Sequence, residues 1–245
     1  MTRILGDALV WDAHSFTPLS RAVDIATLYR HREAGVDYVS INVAMDFNPW
    51  AETLRLIAYF RAEIARHGHA LRLVGSVEEL ARAKADGVLA IGFDLEGSDM
   101  LDGDLDMLRL YRDLGVRQIH LAYNRTSAAG SGCHAFEEGT DAGLTPFGRK
   151  VVAEVNRLGL IMDCSHTGHR TSLDVMAASA KPVVFSHANI RALADHPRNL
   201  RDDQIDACAA TGGVIGLCGI ALFLGGEGGA AEMVRHIDFV TQRVG

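Results

Sequence analysis

The sequence predicts an α/β protein, a (β/α)8 TIM-like barrel, and three observations carry that expectation. Short apolar runs of β type alternate with amphipathic helical stretches along the whole 245-residue chain. The runs are apolar on both faces, as parallel strands covered by helices are. No Pro/Ser-rich linker and no shift of composition divides the chain, so residues 1–245 read as a single domain.

Taken in order, the first strand is ALVWDAH (8–14), followed by the helical pattern RAVDIATLYRHREAG and a second strand, VDYVSINV (36–43). The helix AETLRLIAYFRAEIARHG leads towards a third strand, VLAIGFDLEG (88–97), and DLDMLRLYRDLG towards a fourth, RQIHLAY (117–123). TPFGRKVVAEVNRLG precedes the fifth, GLIMDCSH (159–166); PVVFSH (182–187) and GGVIGLC (212–218) complete seven. Several of these helices close on a glycine at the C-terminal cap position. An open doubly wound sheet is the competing parse, but neither GxGxxG nor GxxxxGK[ST] follows the first strand, so its phosphate loop is missing. After AAEMVRHIDFVTQRVG the sequence ends where an eighth strand is due, so the expected barrel lacks its last strand and helix. Unpaired edges recruit other chains, which makes a homo-oligomer the expected response.

A net charge of −7 without any Lys/Arg cluster excludes nucleic acid and anionic membrane as main partners, leaving a small molecule. The four cysteines show no CxxC spacing and read as reduced thiols of a cytoplasmic protein. Asp7 and Asp12 interrupt the apolar stretch a signal peptide needs. The most apolar segment, GGVIGLCGIALFLGG, is shorter than the roughly 20 residues of a spanning helix.

A parallel barrel gathers its chemistry at the C-terminal ends of the strands. There the sequence places Asp12 and His14, then Asp94 and Glu96, then His120, Tyr123 and Asn124, then Asp163 and His166, and finally His187. Residues i and i+2 of a strand share a face, so Asp94 joins Glu96 and Asp12 joins His14. If those faces line the interior, imidazoles and carboxylates converge on a first-row divalent ion, most simply zinc, whose bound water ionises near neutral pH. One histidine at the end of an apolar strand is more often structural. Two Ser-His endings on consecutive strands, with Glu96 upstream, shift that balance. His67 and His69 read as solvated surface, and His134 as a loop residue beside Cys133 that makes no zinc pair. GxSxG is absent, and Ser165 and Ser186 would face away from the histidines that follow them, which argues against a serine triad.

The stretch GLTPFGRKVVAEVNRLGLIMDCSHTGHRTSLDVMAASAKPVVFSHANIRALADHPRNLRDDQIDACAATGGVIGLC resembles the renal (membrane) dipeptidase family of metallopeptidases, especially its bacterial members. The likeness continues, weaker but collinear, back to Asp12. It implies a (β/α)8 barrel carrying two zinc ions bridged by a glutamate, which hydrolyses the peptide bond of dipeptides by metal-activated water; for this chain one or two Zn2+ are expected. Glu96 of GFDLEG matches the bridging glutamate, His166 and His187 match the second-site histidines, and His14 matches a first-site ligand. Arg198 of DHPRNL matches the arginine that grips the substrate carboxylate. The family's substrate-polarising histidine falls near Tyr123, so Tyr123 or Asn124 is expected to donate to substrate instead.

Two departures stand out. The family's His-x-Asp becomes DAHSF, with Phe16 in the aspartate position, so the first metal site is weakened and the stoichiometry is expected nearer one than two. The aspartate the family supplies from its last strand has no counterpart. The resemblance therefore implies a metal-dependent dipeptidase acting on a small peptide, or alternatively a catalytically impaired relative that binds without turnover. A phosphotriesterase-like barrel is disfavoured because the first strand lacks His-x-His and no strand ends on a metal-bridging lysine.

Overall fold

The computed structural model describes residues 8–245; Asp7, one of the two acidic residues set against a signal peptide, lies outside the described residues. Among the described residues there are eight strands: β1 (Trp11–Ser15), β2 (Tyr38–Met45), β3 (Leu71–Leu73), β4 (Leu89–Glu96), β5 (Val116–His120), β6 (Ile161–Asp163), β7 (Val183–Phe185) and β8 (Val214–Ile215). The helices are α1 (Tyr29–Glu33), α2 (Trp50–Arg66), α3 (Val77–Ala85), α4 (Asp106–Asp113), α5 (His134–Glu137), α6 (Pro146–Leu158), α7 (His169–Ala178), α8 (Asp202–Ala210), α9 (Ala221–Leu224) and α10 (Ala230–Val244). All strand pairings are parallel, in the order β1-β2-β4-β5-β6-β7-β8 with β3 beside β4. The sheet curls into a half barrel of TIM type that does not close: among the described residues β8 and β1 are not paired.

Local chemistry accounts for the elements. β2 and β4 are buried along all eight residues, as strands covered on both faces must be. On their outer face Val39, Ile41, Ile91, Phe93 and Leu95 join Leu56, Ile57, Phe60 and Ile64 of α2 in one core, and the α2 residues recur at the helical spacing. α6 starts where the Thr145 hydroxyl accepts from Gly148 N at 3.0 Å, carries Pro146 in its first turn, and ends on Gly159 at φ 68°.

The structure corrects the strand list in two ways. β3 is an additional strand, within a segment whose histidines read as helix end and surface. Its three residues pair only with the first half of β4, and β5 takes the same edge of β4 from Phe93 onward, so β3 is too short to show an alternation. β6, β7 and β8 hold three, three and two residues, fewer than their apolar runs suggest. The remaining residues of those runs are loop, and the two Ser-His pairs stand in these loops just past the strand ends. No helix among the described residues is long and apolar enough to cross a membrane.

Candidate metal centre

The inner face of the sheet is polar. Ser40 and Asn42 of β2, Asp94 and Glu96 of β4, Gln118 and His120 of β5 and Asp163 of β6 are all buried, in place of the aliphatic layers that usually fill a barrel. Asn42, Asp94 and Gln118 lie side by side in register across β2, β4 and β5, and His120 lies beside Asp163. An isolated buried carboxylate is several kcal/mol too costly to keep ionised. Glu96 and Asp163 meet nitrogens here, as does Asp94 through its Oδ1, while Asp94 Oδ2 has no partner among the described residues.

β4 delivers Asp94 and Glu96 on one face, but the equivalent expectation for β1 fails. A β-bulge between Asp12 and Ser15 breaks the alternation: Asp12 pairs with Val39 and Ser15 with Ile41, leaving two residues opposite Ser40. Asp12 and Ser15 both approach His31 of α1, at 3.4 and 3.3 Å. His14 instead crosses to Asp94 Oδ1 with its Nδ1 (3.2 Å) and to Glu96 Oε1 with its Nε2 (3.4 Å). Asp12 and His14 therefore do not share a face.

Glu96 Oε1 also lies 3.1 Å from His166 Nε2 and 3.3 Å from His187 Nε2, and those two nitrogens are 2.8 Å apart. The His14 ring stacks on that of His187 with centroids 4.0 Å apart. The outer nitrogens are tied down. His166 Nδ1 donates to Asn124 Oδ1 at 2.6 Å, so its Nε2 presents a lone pair, and His187 Nδ1 is 2.7 Å from Ser186 Oγ. Adjacency of Ser186 and His187 thus does not separate their side chains, because the chain is no longer extended there. Asp163 Oδ1 accepts from the backbone N–H groups of Ser165 (2.8 Å) and Ser186 (3.2 Å), the residues preceding the two histidines. One carboxylate anchors both loops.

Electrostatics follow from this packing. Burial, reinforced by Arg198 and neighbouring imidazoles, pushes His166 and His187 well below the ordinary imidazole range, so both are neutral, the form that ligates metals. Burial opposes charge on His14 as well, but Asp94, Glu96 and Asp163 outweigh it and raise its pKa to about 9. Burial raises Glu96, against the pull of His14 and His120. For Asp163 burial is outweighed by His120 and by donated hydrogen bonds, which hold it at about 2.

These residues fit a divalent ion. Ligand atoms each about 2.0–2.2 Å from one cation stand roughly 2.9–3.5 Å from one another, depending on the angle. The contacts among Glu96 Oε1 and the three Nε2 atoms given above run from 2.8 to 3.4 Å. His166 and His187 meet Glu96 as neutral imidazoles, whereas His14 carries its charge towards Asp94 and Glu96 and would give up a proton to a bound cation.

The cage opens on a cleft of about 1080 Å3 that Phe16, Tyr123, Asn124, His134 and Arg198 also line. Arg198 is buried, donates to the His187 carbonyl at 3.0 Å, and keeps its Nε without a partner. Tyr123 leans over the His166 ring (4.6 Å between centroids), its backbone N–H held by Asp46 Oδ2 at 2.7 Å. Asn124 departs from expectation: its carbonyl oxygen is committed to His166, leaving only its NH2 for a substrate. Phe16 is 57% exposed and offers no ligand atom. His67 and His69 lie elsewhere, around the Tyr29 hydroxyl, while Cys133 donates towards Asn124 Oδ1 at 3.4 Å. Sequence reasoning overlooked Asn42, which donates to Asp94 at 3.2 Å, Gln118, which donates to Asp163 at 2.8 Å, and Asp46. Polar residues alternating through SINV and RQIH are the signal that marks the first two.

Imidazoles and a carboxylate gathered at this end of a parallel barrel sheet make a donor set for a divalent cation. Residues 21–245 match the model of the membrane dipeptidase family, peptidase family M19, and the chain belongs to that family. An uncharacterized dipeptidase of Schizosaccharomyces pombe is 34% identical over 166 residues, 67% of this chain and 40% of that protein. The dipeptidase verJ of Clonostachys rogersoniana is 31% identical over 216 residues, 87% of this chain and 54% of that one. Among solved structures, an amidohydrolase from Pseudomonas aeruginosa superposes with a TM-score of 0.89 at 28% identity, over 98% of this chain and 71% of its own. The chain thus spans about half the length of these two curated relatives.

Proposed function

We propose that the protein is a metal-dependent dipeptidase. The observation that carries this reading is Glu96 Oε1 ringed by the Nε2 atoms of His14, His166 and His187 at 3.1–3.4 Å on the floor of a cleft that also receives Arg198. Glu96, His14, His166 and His187 would hold the cation, with zinc the best match to two or three imidazoles and one carboxylate. When bound there, it supplies Lewis acidity for hydrolysis of an amide. Arg198, which lines the cleft, anchors the C-terminal carboxylate of the peptide through a charge-assisted fork. Tyr123 and the NH2 of Asn124 line the cleft as donors to the carbonyl under attack. Asn124 also fixes the ring of His166.

The test is release of free amino acids from L,L- and L,D-dipeptides by the zinc-loaded chain, abolished in Glu96→Gln. Phe16 favours one alternative, a relative that binds peptides without cleaving them. Saturable dipeptide binding with no turnover in the metal-loaded chain would establish that alternative and overturn the first.

A further inference from the structure

We infer that the chain holds a second cation position, for a divalent transition metal, on His120, Asp163 and His187, deeper than the one centred on Glu96. Ligand atoms of these three residues all lie within 4.8 Å of one another. His120 and Asp163 are wholly buried, whereas His14 and His187 retain side-chain exposures of 9% and 11%. The His120 ring stands 6.1 Å from that of His14, 6.0 Å from His166 and 5.6 Å from His187, so four imidazoles surround this floor.

His120 Nδ1 donates to the Leu95 carbonyl at 2.9 Å, which turns Nε2 inward. Nε2 then lies 2.9 Å from Asp163 Oδ2, with which it forms a wholly buried ion pair. Two ligand atoms about 2.0–2.1 Å from one ion, at a right angle, are separated by about that distance.

Asp163 is suited to the task. Its Oδ1 is taken by Ser165 and Ser186, and its Oδ2 accepts one bond from Gln118 Nε2 at 2.8 Å, leaving a lone pair on the His120 side. One imidazole nitrogen serves one ion. His187 belongs to both groups, so with both positions filled it passes from the Glu96 cation to the deep one; Glu96 then keeps His14 and His166, and each position has two imidazoles and one carboxylate, the set of a catalytic zinc with open positions. That donor set selects zinc, cobalt or nickel over magnesium or calcium. The carboxylate missing at Phe16 is thereby replaced from the opposite wall. This inference rests on the metal-centre reading of the Glu96 cage.

The experiment is anomalous diffraction at the metal edge from crystals of the full chain grown with excess Co2+, paired with Co2+ titration in solution followed by visible absorption. Two peaks are expected, one beside Glu96 and one within about 2.0–2.2 Å of His120 Nε2 and Asp163 Oδ2. A peak at Glu96 alone overturns this inference and leaves the proposed function standing; no peak at either position overturns both. In solution His120→Leu should lower the uptake from two Co2+ per chain to one. Should that variant not fold, Glu96→Gln gives the complementary reading: one Co2+ retained supports the deep position, and none retained overturns it.

Discussion

Three non-glycine residues among those described adopt positive φ, Asp102 at 52°, Asn124 at 61° and His166 at 67°, and the last two are joined by the 2.6 Å hydrogen bond beside the metal cage. Left-handed backbone is uncommon outside glycine and collects at functional sites, where surrounding structure holds it. Asn124→Ala removes the acceptor that orients His166. It should weaken zinc binding about 10- to 100-fold, the usual effect of losing a histidine's hydrogen-bond partner, as read by competition with a chromophoric chelator. Arg198→Ala should raise KM for dipeptides by roughly 10- to 100-fold, from about 1.5–3 kcal/mol for a hydrogen bond to a charged group. Arg198→Lys should recover part of the loss. Equal turnover of a dipeptide and its C-terminal amide by the unaltered chain would show that no carboxylate is read. At this scale Glu96, His166 and His187 were legible because strand-end residues of a barrel point to its mouth. The tie from Asn124 to His166 was not legible, since nothing in YNRT announces a left-handed turn.

At the scale of elements, β1 shows how a strand departs from its own alternation. Its bulge lets His14 face Glu96 while Asp12 and Ser15 face α1, which the period-two reading of WDAHS could not supply. β4 hands over to the next loop by a different device. Gly97 has φ 135°, and a Cβ there would stand 1.9 Å from Asp46 Oδ1. That carboxylate accepts from Ser98 N (2.7 Å), Asp99 N (3.0 Å) and Tyr123 N (2.7 Å), clamping the loops after β4 and β5 to the end of β2. Gly97→Ala should therefore cost about 2 kcal/mol or more through strain and a broken clamp. Calorimetry should show Tm lower by roughly 4–8 °C, with Tyr123 released in the same step. A Tm within 1 °C of the parent, on the order of 0.5 kcal/mol or less, would mean that the clamp is dispensable.

For the whole molecule, the governing feature is the open sheet. Among the described residues β1 and β8 present unpaired edges, and Val214, Ile220, Leu222, Val234 and Ile237, on β8 and the segments that follow it, are each at least 45% exposed. Edges and apolar surface of that kind recruit further strands. The 245-residue chain should self-associate with rising concentration in sedimentation velocity, and Val214→Lys with Leu222→Lys should shift it towards monomer. A single sharp monomer at every concentration would refute this. The parallel sheet and its helical cover were readable because β2 and β4 carry large apolar residues at every second position, Val39, Ile41 and Val43 in one and Leu89, Ile91, Phe93 and Leu95 in the other. β3 was not readable, since its three residues acquire meaning only from β4 beside them.

The anchoring of two loops by Asp163 has a thermodynamic consequence. Because its Oδ1 accepts from the backbone N–H groups before both His166 and His187, the two loops share one anchor and a shift of one is passed to the other. The ordering entropy of both rings is then lost when the chain folds rather than when a ligand arrives. Association at this site should accordingly carry a small conformational-entropy penalty, and substitutions in the two loops should be strongly non-additive in a double-mutant cycle.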